Sequence, residues 1–139
     1  MSRCSVIVAL TVLILFSCEE GYMTDCGECY QEYPVQSTLK ILHGNPDITM
    51  QNARVTLYEG TIEDSLIIQY YNLDIIRLVL TFDAILYKDY SATLEFNSEG
   101  QKYIITGAAR PKVRYDESSC DEPCYYVYDN VIDLRLRYN

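Results

Sequence analysis

Cysteines are the residues of this chain whose types and spacing most clearly support chemistry. Four of the six form two close pairs, Cys26 with Cys29 and Cys120 with Cys124. In an oxidising compartment an even set of cysteines most often forms disulfides. In a reducing one, C-x2-C together with C-x3-C offers four thiolates to a tetrahedral zinc ion. The compartment to which the chain is sent therefore decides between these two interpretations.

A catalytic redox pair at Cys26 and Cys29 is the third interpretation, and the neighbouring charges argue against it. A redox cysteine needs nearby cations or a helix N-terminus to stabilise its thiolate. Asp25, Glu28 and Glu32 instead surround this pair with negative charge, which disfavours the thiolate.

The remaining polar residues predict no catalytic site. His43 is the only histidine, so a Ser-His-Asp arrangement would have to use it, and no G-x-S-x-G motif is present. Because it lies beside turn residues, we expect it to be solvated. Asp116, Glu117, Asp121 and Glu122 gather near the second cysteine pair without a D-x-D-x-D-G loop, so we expect solvated loop charge, with calcium as the alternative. We assign no catalytic residue, metal or cofactor.

The first residues resemble a bacterial lipoprotein signal. Arg3 precedes an apolar run over 6–16, which suits a secretion signal of about 7 to 15 apolar residues and is shorter than the roughly 20 that span a bilayer. Leu15, Ser17 and Cys18 resemble the lipobox, whose cysteine is lipidated before the chain is cut in front of it. We expect a signal over 1–17 and a lipid on Cys18, with an ordinary cleaved signal or an uncleaved anchor as alternatives.

The residues after Cys18 bear on location. Glu19 and Glu20 resemble the acidic surface-export signal of Bacteroidetes lipoproteins, although a short solvated tether is the alternative. We expect a protein anchored to the outer membrane by its lipid and exposed at the cell surface, with the periplasmic face as the alternative. Outside the cytosol, the two cysteine pairs are expected to form disulfides.

Composition limits the size and the partners of the exported part. Cleavage before Cys18 leaves 122 of the 139 residues, with 10 basic and 20 acidic side chains, which is one domain without the positive surface that nucleic acid requires. The 14 tyrosines and no tryptophan are typical of half-buried strands. A tyrosine-lined surface for a sugar or a protein is the alternative.

Alternating apolar residues between turn residues predict a single antiparallel β-sandwich of seven or eight strands, immunoglobulin-like or transthyretin-like. We place a signal at 1–17, a lipidated tether with the first cysteine pair at 18–36, and the sandwich at 37–139. The run over 66–71 is continuously apolar and suits a central strand, and 97–100 predicts a hairpin turn. The predicted strands are 39–42, 53–58, 66–71, 77–82, 90–96, 102–106, 125–128 and 131–138.

Several segments together resemble small Bacteroidetes outer-membrane lipoproteins with such a sandwich domain: VTLYEG (55–60), DYSATLEF (89–96), QKYIITG (101–107), CDEPCYYV (120–127) and VIDLRLRY (131–138). The resemblance implies a non-enzymatic accessory or structural subunit of a larger membrane assembly, such as a nutrient-uptake complex of the SusC and SusD type. A surface module that binds a glycan or a peptide is the alternative. The resemblance transfers no catalytic residue.

Four cysteines allow three disulfide connectivities. If the first and last strands lie side by side in parallel, as in many immunoglobulin-like sandwiches, the segments that enter them meet at one end. Bridges between the two pairs are then favoured. Each would close a loop of roughly 90 to 100 residues, which stabilises the fold by about 4 kcal/mol in the chain-entropy model.

Overall fold

The computed structural model describes residues 26–44, 47–73, 79–118 and 120–136. These residues form a β-sandwich with one short 3₁₀ turn at Cys26–Glu28, which confirms the predicted fold class. The predicted signal and Cys18 lie outside the described residues. The strands are β1 (Gln36–Leu42), β2 (Gln51–Glu59), β3 (Ile67–Asn72), β4 (Val79–Ile85), β5 (Tyr90–Ser98), β6 (Gln101–Ala109), β7 (Lys112–Asp116), β8 (Cys124–Tyr128) and β9 (Val131–Asp133).

The strands form two packed sheets and a separate hairpin. One sheet has the order β3-β2-β5-β6 and is antiparallel throughout. The other has the order β4-β1-β9, in which β1 and β9, the first and last strands, run parallel. Strands β7 and β8 pair with each other in an antiparallel hairpin, and Tyr125 of β8 also pairs with Tyr30.

The core lies between the two sheets because alternate residues of each strand point inward. Leu39 and Ile41 of β1 are fully buried, as are Val55 and Leu57 of β2, and Leu94 of β5 is almost fully buried. Burying each such side chain contributes about 1.5 to 3 kcal/mol relative to leaving it in water. Apolar burial of this kind is what stabilises the sandwich.

A glycine allows β6 to approach β9 closely. A Cβ atom at Gly107 would lie 2.8 Å from Cγ2 of Ile132 and 3.2 Å from Cδ2 of Leu134. Both side chains are fully buried, so neither has free space to move into. Because glycine has only a hydrogen in place of a side chain, β9 can pack closely against β6 and close one side of the sandwich.

The predicted hairpin turn joins β5 to β6. Ser98 pairs with Gln101, and the two residues between them, Glu99 and Gly100, have φ angles of 49° and 77°. Positive φ at both central residues suits the right-handed twist of a two-residue hairpin. Glycine adopts that geometry at little cost.

Two predictions about strands are wrong, and one strand was not predicted. The run over 66–71 is not central: among the described strands β3 is the outermost of its sheet, because it pairs with β2 alone. The strand predicted over 131–138 ends at Asp133, where the backbone N–H and guanidinium of Arg135 turn back to donate to the Asp133 carboxylate. Strand β7 was not predicted, and it pairs with β8 along its full length.

Candidate binding surface

The two cysteine pairs meet where β8 begins. Cys26 is bonded to Cys120 and Cys29 to Cys124, with Cα atoms 5.8 and 5.7 Å apart. Both bridges therefore connect the two pairs, the arrangement that the sequence favoured for parallel first and last strands. The prediction of disulfides is confirmed.

The same geometry bears on the zinc alternative. The sulfur atoms of Cys29, Cys120 and Cys124 lie within 4.8 Å of one another, close enough to be ligands of one ion. All three belong to disulfides, and a disulfide sulfur has no thiolate to offer a metal. In this oxidised state the cluster links the two segments covalently.

The two disulfides hold the segment before β1 against the β7–β8 hairpin. Tyr30 and Tyr125 exchange two backbone hydrogen bonds, each 2.8 Å long. A two-stranded hairpin is marginally stable on its own in water. The β7–β8 hairpin is additionally linked by the backbone hydrogen bonds of Tyr30 and by two disulfides. Its position relative to the segment before β1 is therefore constrained.

Four tyrosines converge on one face of this region, and we call them the tyrosine patch: Tyr33, Tyr87, Tyr115 and Tyr125. The rings of Tyr33 and Tyr125 meet edge-on with centroids 5.5 Å apart, and those of Tyr115 and Tyr125 are tilted at 4.9 Å. Aromatic pairs at such separations contribute about 0.5 to 1.5 kcal/mol beyond the area they bury. The rings therefore support one another as a group.

Hydroxyl groups continue the patch beyond its rings. The Tyr33 hydroxyl donates to the Tyr87 hydroxyl at 3.4 Å, and the Tyr87 hydroxyl donates to the backbone oxygen of Val113 at 3.3 Å. The first of these hydrogen bonds raises the pKa of Tyr33 above its usual value, so this phenol is neutral at physiological pH. The patch thus combines uncharged rings with hydroxyl groups that can donate or accept.

Three members of the patch remain open to a partner. Tyr33 is 53% exposed, Tyr87 47% and Tyr115 48%, whereas Tyr125 is half-buried beneath them. Large exposed aromatic side chains held in fixed positions are typical of protein and ligand contact surfaces. The arrangement is suited to recognition by contact.

The other face of the hairpin carries cations over aromatic rings. The Arg114 guanidinium lies 5.0 Å from the ring centroid of Tyr126, and the Lys112 ammonium lies 5.7 Å from that of Tyr128. Lys112 also donates to Asp129 at 3.0 Å, and this hydrogen bond raises the pKa of its ammonium group. These cations are already paired within the hairpin, so this face is less available to an anionic partner.

The prediction of a solvated His43 is wrong. It is only 2% exposed, and within the described part of the chain neither ring nitrogen has a hydrogen-bond partner. Burial lowers the pKa of the imidazole below its usual value, because removal from water disfavours the charged form. The turn residues beside His43 in the sequence do not reveal this burial.

The acidic residues near the second cysteine pair do not converge on one point. Asp116 is not the solvated loop charge that the sequence predicted: it is the last residue of β7 and 8% exposed, and its carboxylate accepts the backbone N–H of Ser118 at 2.9 Å. Glu117, Asp121 and Glu122 are exposed, as predicted for loop charge. Of the described residues, the cysteines alone bring three possible ligand atoms together.

A cleft of about 650 Å³ lies elsewhere, beside the end of β6. Gly107, Ala108 and Ala109 line it, together with Asp89 and Arg110. Arg110 donates to the backbone oxygen of Tyr87 at 3.2 Å and lies 3.9 Å from the Asp89 carboxylate. The guanidinium group of this cleft is therefore already engaged within the chain.

Sequence reasoning pointed to a tyrosine-bearing surface without locating it. The four patch residues come from segments that are distant along the chain and that the disulfides, the β7–β8 pairing and the β1–β4 pairing bring together. Among the described residues no helix is long and apolar enough to cross a membrane. The chain matches no family model, no curated protein and no solved structure.

Proposed function

We propose that this protein is a non-enzymatic, lipid-anchored accessory subunit that docks on a larger outer-membrane assembly through its tyrosine patch. The observation that carries the proposal is the exposed patch itself, held in place by two disulfides. A nutrient-uptake complex of the SusC and SusD type is the assembly that the sequence resemblance suggests.

The composition of the patch supports docking onto a protein. Tyrosine offers a large, amphipathic contact area and loses few rotatable bonds when it is buried. Tyr33, Tyr115 and Tyr125 already support one another through ring contacts, so little side-chain freedom remains to be lost on binding. Pre-ordering of this kind improves affinity because it lowers the entropic cost of association.

The position of the patch supports a partner close to the membrane. Only residues 19–25 separate the predicted lipid-bearing Cys18 from Cys26, and Cys26 is bonded to the region that carries the patch. The eight Cα–Cα steps between the two cysteines span at most about 28 Å when fully extended. A protein attached in this way presents the patch within reach of membrane-embedded neighbours.

The test is co-purification of the full-length tagged lipoprotein from its native outer membrane in mild detergent. We expect a membrane protein in stoichiometric amount with the unmodified chain, and its loss from the variant Tyr33→Ala/Tyr115→Ala. Ile104→Ala is the matched control, because Ile104 is 57% exposed on β6 and outside the patch. A protein that elutes alone, or a partner retained equally by all three chains, overturns the proposal.

A surface module for a glycan or a peptide is the second candidate function, and the same exposed rings favour it. Retention of the unmodified chain on a glycan array, lost in Tyr33→Ala/Tyr115→Ala and kept in Ile104→Ala, supports this candidate. The two functions therefore predict different partners for the unmodified chain: a membrane protein in the co-purification or a glycan on the array.

A further inference from the structure

The two disulfides lie next to each other, which gives their sulfur atoms a second possible chemistry. The sulfurs of Cys29, Cys120 and Cys124 are within 4.8 Å of one another although they belong to two different bridges. The fourth sulfur, that of Cys26, is bonded to the sulfur of Cys120 and therefore lies at the same place. Reduction of both bridges would leave four thiols at one point of the fold.

Local backbone geometry places the thiols of each pair close together. Cys26 begins the 3₁₀ turn that ends at Glu28, and Cys29 follows directly. Because a 3₁₀ helix has three residues per turn, side chains three positions apart lie on the same side of it. Cys120 precedes Cys124, the first residue of β8, by four positions. Each segment thus supplies two ligands at the short spacing that is common in structural zinc sites.

We propose that the reduced form of this cluster binds one zinc ion through Cys26, Cys29, Cys120 and Cys124, in place of the two disulfides. Zinc takes four thiolates in a tetrahedron with Zn–S distances of about 2.3 Å, so the sulfurs lie about 3.8 Å apart. Three of the sulfurs already lie within 4.8 Å of one another. Rotation about the Cα–Cβ bonds is sufficient to bring all four to the tetrahedral spacing.

The two segments also have a contact that does not depend on the bridges. Tyr30 and Tyr125 exchange two backbone hydrogen bonds of 2.8 Å, and they directly follow Cys29 and Cys124. This pairing favours the meeting of the thiols after reduction. Four metal–sulfur bonds would then link the segment before β1 to the β7–β8 hairpin, as the disulfides do.

The conversion between the two forms is balanced in electrons and protons. An external dithiol reduces each bridge to two thiols and is itself oxidised to a disulfide. Zinc then displaces four protons from the four thiols, because only the thiolate is a ligand. Cys26 is exposed, whereas Cys124 is fully buried. Reductant and ion therefore reach the cluster from the side of Cys26.

Nearby carboxylates are placed so that they add little repulsion to the four thiolates. Glu28, inside the first cysteine pair, forms an ion pair with Lys40 at 2.6 Å, which offsets its charge. Asp121 and Glu122, inside the second pair, are exposed, and salt in the solvent screens exposed charges. The electrostatic cost of assembling the thiolates around the ion is therefore limited.

Cobalt(II) tests the site because it occupies tetrahedral thiolate sites of the zinc type and then absorbs visible light strongly. We expect the full chain, reduced with a phosphine under exclusion of oxygen, to develop this absorption until one Co²⁺ is bound per chain, and one equivalent of Zn²⁺ to remove it. Cys29→Ser/Cys120→Ser is expected to abolish the absorption. Cys4→Ser/Cys18→Ser is the matched control, because it also removes two cysteines but none from the cluster, and it is expected to keep the absorption.

Amide hydrogen exchange distinguishes a site in the folded chain from metal capture by an unfolded one. We expect Zn²⁺ to restore protection in β7 and β8 of the reduced chain, with β2 and β5 protected in the metal-bound form. No absorption, equal absorption from the two double variants, one ion shared by two chains, or metal binding with β2 and β5 unprotected overturns the proposal. The site uses none of the tyrosine rings, so its failure leaves the proposed function standing.

Discussion

The sandwich and the disulfide-linked hairpin are stabilised by different forces. In the sandwich, side chains such as Leu57, Ile41 and Ile132 have no exposed surface, and two sheets cover each other. In the hairpin, Cys124 is fully buried, whereas Tyr125, Tyr126, Val127 and Tyr128 are half-buried. The first region is held by apolar burial, and the second depends on its two covalent links.

This difference explains how a small domain can display aromatic side chains. Tyrosines buried in the sandwich would contribute to its stability but could not reach a partner. In the hairpin the disulfides replace part of that stabilisation, so the rings can remain exposed in fixed positions. The two regions should therefore respond differently to reduction and to core substitutions.

Removal of both disulfides is the largest expected perturbation. Each bridge closes a loop over a sequence separation of 94 or 95 residues, so replacing all four bridging cysteines by serine should cost about 4 kcal/mol or more. We expect amide hydrogen exchange to show lost protection in β7 and β8 and retained protection in β2 and β5. Reduction of the unmodified chain is the control for the serine substitutions. Uniform loss of protection in both regions would show that the sandwich depends on the bridges as well.

A cavity in the core tests the other half of the comparison. Leu57 is fully buried, so Leu57→Ala should lower the free energy of unfolding by about 3 kcal/mol, measured by urea titration. Ile104→Ala removes an exposed side chain and should change it by less than about 0.5 kcal/mol. Similar values for the two variants would contradict the view that burial stabilises the sandwich.

The close approach of β6 to β9 predicts a smaller effect. Because a Cβ atom at Gly107 would lie 2.8 Å from Ile132, Gly107→Ala should destabilise the fold by about 1 to 3 kcal/mol through overpacking. Thr106→Ala, at the exposed neighbouring position, is the control in the same urea titration. A neutral or stabilising Gly107→Ala would mean that β9 can move away at no cost.

Buried His43 predicts a pH dependence that is the smallest of these effects. Its folded-state pKa is lowered, so as pH falls below the unfolded value of about 6.5 the unfolded chain takes up a proton that the folded chain resists. Stability should therefore fall between pH 7 and pH 5, by at most about 1.4 kcal/mol per pH unit. His43→Leu should flatten this slope in urea titrations at several pH values. Parallel slopes for the two chains would contradict the assignment.

Local patterns were sufficient to predict much of the sandwich. Strands β2, β5 and β6 follow from alternating apolar residues, and the turn at Glu99 and Gly100 follows from residues that tolerate positive φ. These patterns depend on residues that are neighbours along the chain. Local sequence is therefore enough to predict these elements correctly.

The wrong predictions concern features that contacts between distant segments determine: the position of a strand in its sheet, the burial of a side chain and the location of a surface. Whether the run over 66–71 is central or at an edge depends on whether a second strand pairs with its far side, and among the described strands β2 is its only partner. His43 is 2% exposed although turn residues follow it in the sequence. The tyrosine patch could not be located because Tyr33 and Tyr125 are distant in the sequence and meet only in the folded chain, where Cys29 is bonded to Cys124.

Photo-cross-linking from within the patch tests the central claim most directly. A photoreactive phenylalanine analogue at Tyr115 of the full-length chain, illuminated in living cells, should yield a covalent adduct with one membrane protein. The same analogue at Ile104 should yield none. Adducts absent at Tyr115, or equal at both positions, would contradict docking through the tyrosine patch.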